Sequence, residues 1–137
     1  MASPIQDNVP TAAGSDSPIA QISGSDALDL WRRALVDSVR QDAPDLSARQ
    51  LALLLTVYLT PPPHTVRGLA AHLAVSKPAI TRALDRLSML GFLKRKIDST
   101  DRRNVLVQRT VRGSVYLSEF ADLVARSARD TVRTAAE

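Results

Sequence analysis

The sequence predicts a mainly α-helical protein with one small β-hairpin, on three observations. Apolar residues recur with a period near 3.6 in five successive stretches after residue 24. Between the fourth and fifth stretches, two β-prone runs, "FLKRKID" and "NVLVQRT", flank the polar turn "STDRR". Positive charge is also crowded. Residues 76–112 hold ten of the 18 Lys and Arg against Asp85, Asp98 and Asp101, so this segment carries +7 and the remainder −3 within an overall +4.

Residues 1–24, "MASPIQDNVPTAAGSDSPIAQISG", are rich in Pro, Gly and Ser, have no Lys or Arg and show no apolar period, and they read as a disordered tail. Residues 25–137 read as a single domain. Its first helix is expected over 25–43, with Ser25 as cap and Leu28, Trp31, Leu35 and Val39 along one face. Ser47 caps the second helix, the most apolar and hence the most central, and Pro61, Pro62 and Pro63 stop it by removing three backbone donors in succession.

In "TVRGLAAHLAV", Val66, Leu69, Ala70 and Leu73 share a face, and His72 is expected at the surface. The next helix, 76–90, is capped by Ser76, tolerates Pro78 in its first turn, and turns Ile80, Leu84, Leu87 and Leu90 inward. The small residues Ala70, Ala71 and Ala74 before Val75 allow the close approach that a helix-turn-helix needs at its corner. Gly91 ends the helix as a residue tolerant of positive φ. A last helix over 111–135 carries Leu117, Phe120, Val124 and Ala128 on one stripe.

Composition excludes several classes of function. A chain of 137 residues with 45% apolar content fits one domain with a small core. The absence of cysteine excludes disulfides and thiolate zinc sites, two isolated histidines leave little for metal binding, and no cofactor is expected. His64 and His72 flank no plausible nucleophile, no glycine-rich phosphate loop occurs and no pair of carboxylates sits in a recognisable site, so the chain is not expected to be an enzyme. No apolar run nears the roughly 18 to 20 residues that span a bilayer. The N-terminus has no cationic stretch followed by an apolar one, so a cytoplasmic protein without membrane association is expected.

A helix-turn-helix followed by a basic hairpin is a winged helix. The usual fate of a charge run is a solvated face, but clustered cations on a neutral-to-acidic body also suit a polyanion, because neutralising phosphates releases counterions. A helix enters the major groove with a polar N-terminal face, which Ser76, Lys77, Thr81, Arg82 and Arg86 supply. Lys94 and Lys96 on the hairpin suit phosphates. Arg102 and Arg103 stand at its tip, where an arginine reaches the minor groove. Double-stranded DNA is the expected partner, with the helix 76–90 as its reader.

The segment from Leu46 to Gly113 resembles the multiple-antibiotic-resistance regulators, the MarR family of winged helix-turn-helix transcription factors. The resemblance rests on Ala79, Ile80, Thr81 and Arg82, then Leu87, then Gly91, Phe92 and Leu93, then Asp101, Arg102 and Arg103 after a seven-residue gap, and finally Thr110 and Gly113. Ser88 and Arg109 depart from the family's preferences. The resemblance implies a bacterial transcription regulator that binds an imperfect palindrome as a homodimer. It also implies that Arg103 is the wing residue inserted in the minor groove, that Asp101 orients it, that Arg102 is a phosphate contact or a substitute for Arg103, and that Asp98 braces Arg95. It places a winged helix-turn-helix at 46–110, with its wing at 92–110, between dimerisation helices at 25–43 and 111–135. Leu28, Trp31, Leu35, Val39, Leu117, Phe120 and Val124 are the expected interface, although packing within the chain is the default for such stripes. Relatives bind small aromatic acids, but with five aromatic residues and no evident cationic pocket the sequence specifies no small-molecule effector. The competing reading is a winged-helix adaptor or anti-activator that binds protein instead of an operator. The cations at both groove-reading places argue against it.

Overall fold

The computed structural model describes residues 21–137, so most of the tail expected at 1–24 lies outside the described residues. The expectation of a mainly α chain with a small antiparallel sheet is met, in the order α1 (Gly24–Arg40), α2 (Ala48–Leu59), β1 (His64–Thr65), α3 (Val66–Leu73), α4 (Lys77–Met89), β2 (Leu93–Ile97), β3 (Val105–Arg109) and α5 (Val111–Ala136).

Local chemistry sets most boundaries. The cap of α1 is Ser23 and not Ser25: its hydroxyl accepts from the Asp26 N–H (3.1 Å) and donates to the Asp26 carboxylate (2.9 Å), leaving Ser25 exposed within the first turn. The helix stops at Arg40 instead of residue 43, because Pro44 disfavours helical backbone at Ala43. Ser47 and Gln50 form a capping box, each side chain bonding the other's backbone N–H (3.2 and 2.9 Å). Thr65 caps α3 and Ser76 caps α4. At the corner between them Ala74 adopts φ 54°, ψ 44°, a left-handed conformation that costs a Cβ-bearing residue roughly 1 kcal/mol. The Val75 N–H closes that turn on the Ala70 carbonyl (3.1 Å). Gly91 (φ 78°) ends α4, where the Phe92 N–H reaches back to the Leu87 carbonyl (2.9 Å).

The hairpin expected from sequence gains a third strand. The sheet order is β1-β3-β2, all antiparallel, with His64 opposite Val107 and Leu93 opposite Arg109. A strand of two residues carries no period of its own, and only pairing reveals it.

Packing divides the described residues into two units. In residues 38–122, α2 contributes Leu53, Leu54 and Val57, α3 contributes Val66, Leu69 and Ala70, and α4 contributes Ile80, Ala83, Leu84 and Leu87 to one buried core. Phe92, Leu93 and Val107 extend that core under the sheet. Truncating any of its buried leucines to alanine costs about 2 to 5 kcal/mol. Tyr116 stacks on Phe92 (centroids 4.4 Å apart) and Phe120 follows Tyr116 at 6.4 Å, while Leu117 packs on the core's margin.

The other unit joins the residues up to Asp37 with Leu123–Glu137. The inward line of this part of α5 is Leu123, Ser127 and Thr131, displaced from the expected Val124 and Ala128, which are half-buried. The Ser127 hydroxyl bonds the Leu123 carbonyl (3.0 Å), which lets a polar residue occupy a buried helical position. On α1, Asp29 accepts from Arg33 (2.7 Å) and Arg32 (2.8 Å), and these bonds, Arg33's first, hold its carboxyl below the usual range. The apolar face of α1 stays open: Leu28 is 72% exposed, Trp31 41%, Leu35 42% and Val39 79%.

Candidate nucleic-acid interface

The helix-turn-helix and wing lie in one unit, and the inward turn of α4 decides what α4 offers outward. With Ile80, Ala83, Leu84 and Leu87 buried, Ser76, Lys77, Arg82 and Asp85 are exposed, and Thr81 and Arg86 are half-buried. Ser76 has spent an acceptor on the Ala79 N–H (3.3 Å), and the Thr81 hydroxyl donates to the Lys77 carbonyl (3.0 Å). Thr81 therefore presents acceptor lone pairs outward, while Lys77 and Arg82 supply the donors.

Alternation along β2 sorts the hairpin cations. Lys94 and Lys96 pair with Gln108 and Leu106 on the sheet's outer face, whereas Arg95 pairs with the buried Val107 and so faces the helices. There it meets Asp85 of α4 at 2.7 Å. The bracing of Arg95 by Asp98 is thus corrected. Asp98 instead accepts from the Thr100 hydroxyl (2.7 Å) and N–H (2.9 Å), which hold its carboxyl below the usual range. An Asx-type turn of this kind fixes the tip.

At the tip, the Asp101 carboxylate accepts from the Arg103 N–H (3.2 Å) and Nε (3.1 Å), and its other oxygen lies 3.4 Å from Nη2. Arg103's hydrogen bonds, and more weakly Arg67's positive charge, hold the Asp101 carboxyl below the usual range. The Arg103 side chain is nonetheless 85% exposed, an oriented guanidinium standing in solvent. Arg102 is exposed beside it. Arg67, on the first turn of α3, adds a cation near the wing that α3's apolar pattern does not flag.

The base of the wing is a hydrogen-bonded knot that sequence reading missed. The Tyr58 hydroxyl donates to the Phe92 carbonyl (2.7 Å) and accepts from the Thr110 N–H (2.9 Å), tying α2 to both ends of the hairpin. The Thr110 hydroxyl donates to the Gly91 carbonyl (2.6 Å) and accepts from the Gly113 N–H (3.0 Å), capping α5. A Cβ at Gly113 would collide with the Tyr58 hydroxyl and the Phe92 carbonyl, so close approach alone demands glycine there. Arg109 donates to the Val57 (2.9 Å) and Thr60 (3.1 Å) carbonyls at the end of α2 and lies over the Tyr58 ring (5.7 Å).

Among the described residues, no group of His, Asp and Glu could hold a metal ion, and no helix is long and apolar enough to cross a membrane.

Residues 46–105, which contain the helix-turn-helix and most of the wing, match the MarR family model. Over this segment the chain is similar to the MarR family. Its structure is similar to a cysteine-to-serine mutant of MarR from E. coli, with a TM-score of 0.62 at 24% identity over 80% of this chain and 76% of that one. The same MarR mutant solved in complex with operator DNA aligns with a TM-score of 0.59 at 25% identity, over 79% and 71% of the two chains. A glycine mutant of MepR from S. aureus shares the fold, with a TM-score of 0.65 at 17% identity over 79% and 77%. No curated relative matches by sequence.

Proposed function

We propose that this chain is a transcription regulator of the MarR type that binds an imperfect palindrome as a homodimer, with α4 in the major groove and the wing in the minor groove of each half-site. The observation that carries this reading is the Asp85–Arg95 pair, which joins the two readers: α4 presents Ser76, Lys77, Thr81, Arg82 and Arg86, and the wing presents a pre-oriented Arg103. Lys94, Lys96 and Arg102 meet phosphates, and Asp101 holds Arg103 in its extended pose until the groove takes it. The operator-bound state of the related MarR supports DNA as the partner.

The dimer is assigned to the terminal helices α1 and α5, and the DNA contacts to residues 46–110. Four large apolar side chains stand open on α1, Leu28, Trp31, Leu35 and Val39, for a second copy to cover, and Leu117, Phe120 and Val124, half-buried on α5, are proposed for the same role. Two recognition helices then meet half-sites about one helical turn, roughly 34 Å, apart. Gel shift against the protein's own upstream region, with light scattering on the same sample, tests both parts. The expected result is a dimer that shifts a palindromic fragment, and Leu28→Glu with Val39→Glu yields a folded monomer of much weaker affinity. A wild-type monomer that binds the site tightly refutes the dimer, and a dimer that shifts no fragment refutes operator binding in favour of a protein partner.

A further inference from the structure

Lysine and arginine are divided in this chain by place. Of its 18 basic residues only Lys77, Lys94 and Lys96 are lysines, and all three fall within residues 76–112. Lys77 opens α4 and is exposed, and Lys94 and Lys96 stand exposed on the outer face of β2. Among the described residues none of the three has a carboxylate within ion-pair distance. Among the described residues, arginines pair with carboxylates: Arg32 and Arg33 with Asp29, Arg95 with Asp85, Arg103 with Asp101 and Arg133 with Asp130.

This division has a chemical consequence. A guanidinium stays protonated and does not react with activated acyl groups, whereas a primary amine does so through its neutral form. We propose that Lys77, Lys94 and Lys96 form an acylation site group, through which a small acyl phosphate or acyl thioester weakens the protein's grip on DNA. The lysine nitrogen attacks the acyl carbonyl carbon and a C–N bond forms. The C–O bond to phosphate, or the C–S bond to the thiol, breaks, and the leaving group departs with the electron pair. The ammonium first gives one proton to water to free its lone pair, and after the attack the nitrogen loses a second proton to the departing phosphate or thiolate or to water; nothing is oxidised or reduced, and the ammonium has become a neutral amide. When all three react, the charge of residues 76–112 falls from +7 to +4 with every structural ion pair intact. The loss therefore reaches DNA contacts and spares the fold. The proposal rests on the DNA-binding reading above.

The test uses the full chain and its K77R/K94R/K96R variant. Each is incubated with acetyl phosphate in one arm and with an acetyl thioester in the other. Modified residues are located by mass spectrometry, and duplex affinity is measured across a salt series against each protein's own untreated sample. The expected result is acetylation of the three lysines and a fall in wild-type affinity of roughly tenfold or more near 0.1 M salt. The salt slope flattens by roughly 0.9 for each acetylated lysine that touched a phosphate. The arginine variant does not move from its own untreated value, and whichever arm acts identifies the donor. Equal loss in the arginine variant, acetylated lysines with unchanged affinity, or no acetylation in either arm overturns the proposal. A protein that binds no duplex before any donor is added refutes the DNA-binding reading itself, and the proposal falls with it.

Discussion

Tyr58→Phe removes one oxygen atom and, on the geometry above, unties the wing. The hydroxyl donates to the Phe92 carbonyl at 2.7 Å and accepts from the Thr110 N–H at 2.9 Å, so its loss strands one acceptor and one donor in a partly buried site. An orphaned buried polar group costs about 1 to 3 kcal/mol. Partial access to water at both groups puts the sum near the lower end, about 2 to 3 kcal/mol. The ring stays in place beneath the Arg109 guanidinium, so the substitution separates the hydrogen bonds from the stacking. For a chain of this length the melting temperature should fall by roughly 6 to 15 °C. Differential scanning calorimetry reads that shift, and hydrogen exchange at the Thr110 amide reads its local origin. A melting temperature within about 2 °C of wild type, with Thr110 still protected, would refute the knot as the anchor of the wing.

Gly113→Ala tests the same knot by steric means. An alanine for glycine in an exposed helical turn usually gains up to about 1 kcal/mol, but collision with the Tyr58 hydroxyl and the Phe92 carbonyl should reverse the sign to a loss of about 1 to 3 kcal/mol in denaturant unfolding. The pH response of the wing follows from its carboxylates. Asp98 and Asp101 have folded-state values below their unfolded ones, so their contribution is complete above the ordinary carboxylate range and is lost as pH falls through and below it. Amide exchange at residues 98–104, corrected for intrinsic rates, should be flat from about pH 5 to 8 and accelerate only in stronger acid, and a transition near neutrality would contradict the assignment of these turns.

What was legible in the sequence was what neighbouring residues decide among themselves. Ser47, Ser76 and Gly91 each act within four residues, and each lies where the pattern puts it. Contacts between distant segments were not legible. Arg95 has an aspartate three residues away in Asp98, yet its partner is Asp85, because strand alternation turns Arg95 toward α4. The inward line of α5's second half passes through Ser127 and Thr131, which an apolar period overlooks because Ser127 satisfies its hydroxyl on its own helix. Tyr58 is 52 residues from Thr110, and nothing near it in sequence announces the knot. Arg109, a departure from the family's preference, is explained by the carbonyls it reaches at the end of α2.

The central claim is that two arginines on two elements read two grooves. Binding of wild type, Arg82→Ala and Arg103→Ala to the operator and to a scrambled duplex across a salt series tests it most directly. Arg82→Ala should lower the operator-to-scrambled ratio by the worth of a base-edge contact, about 1 to 3 kcal/mol or roughly 5-fold to 150-fold. Arg103→Ala should weaken operator binding and erase any preference for A·T-rich flanks. If both variants keep the wild-type ratio at every salt concentration and lose only overall affinity, the basic face is a general polyanion patch and the two-groove account is wrong.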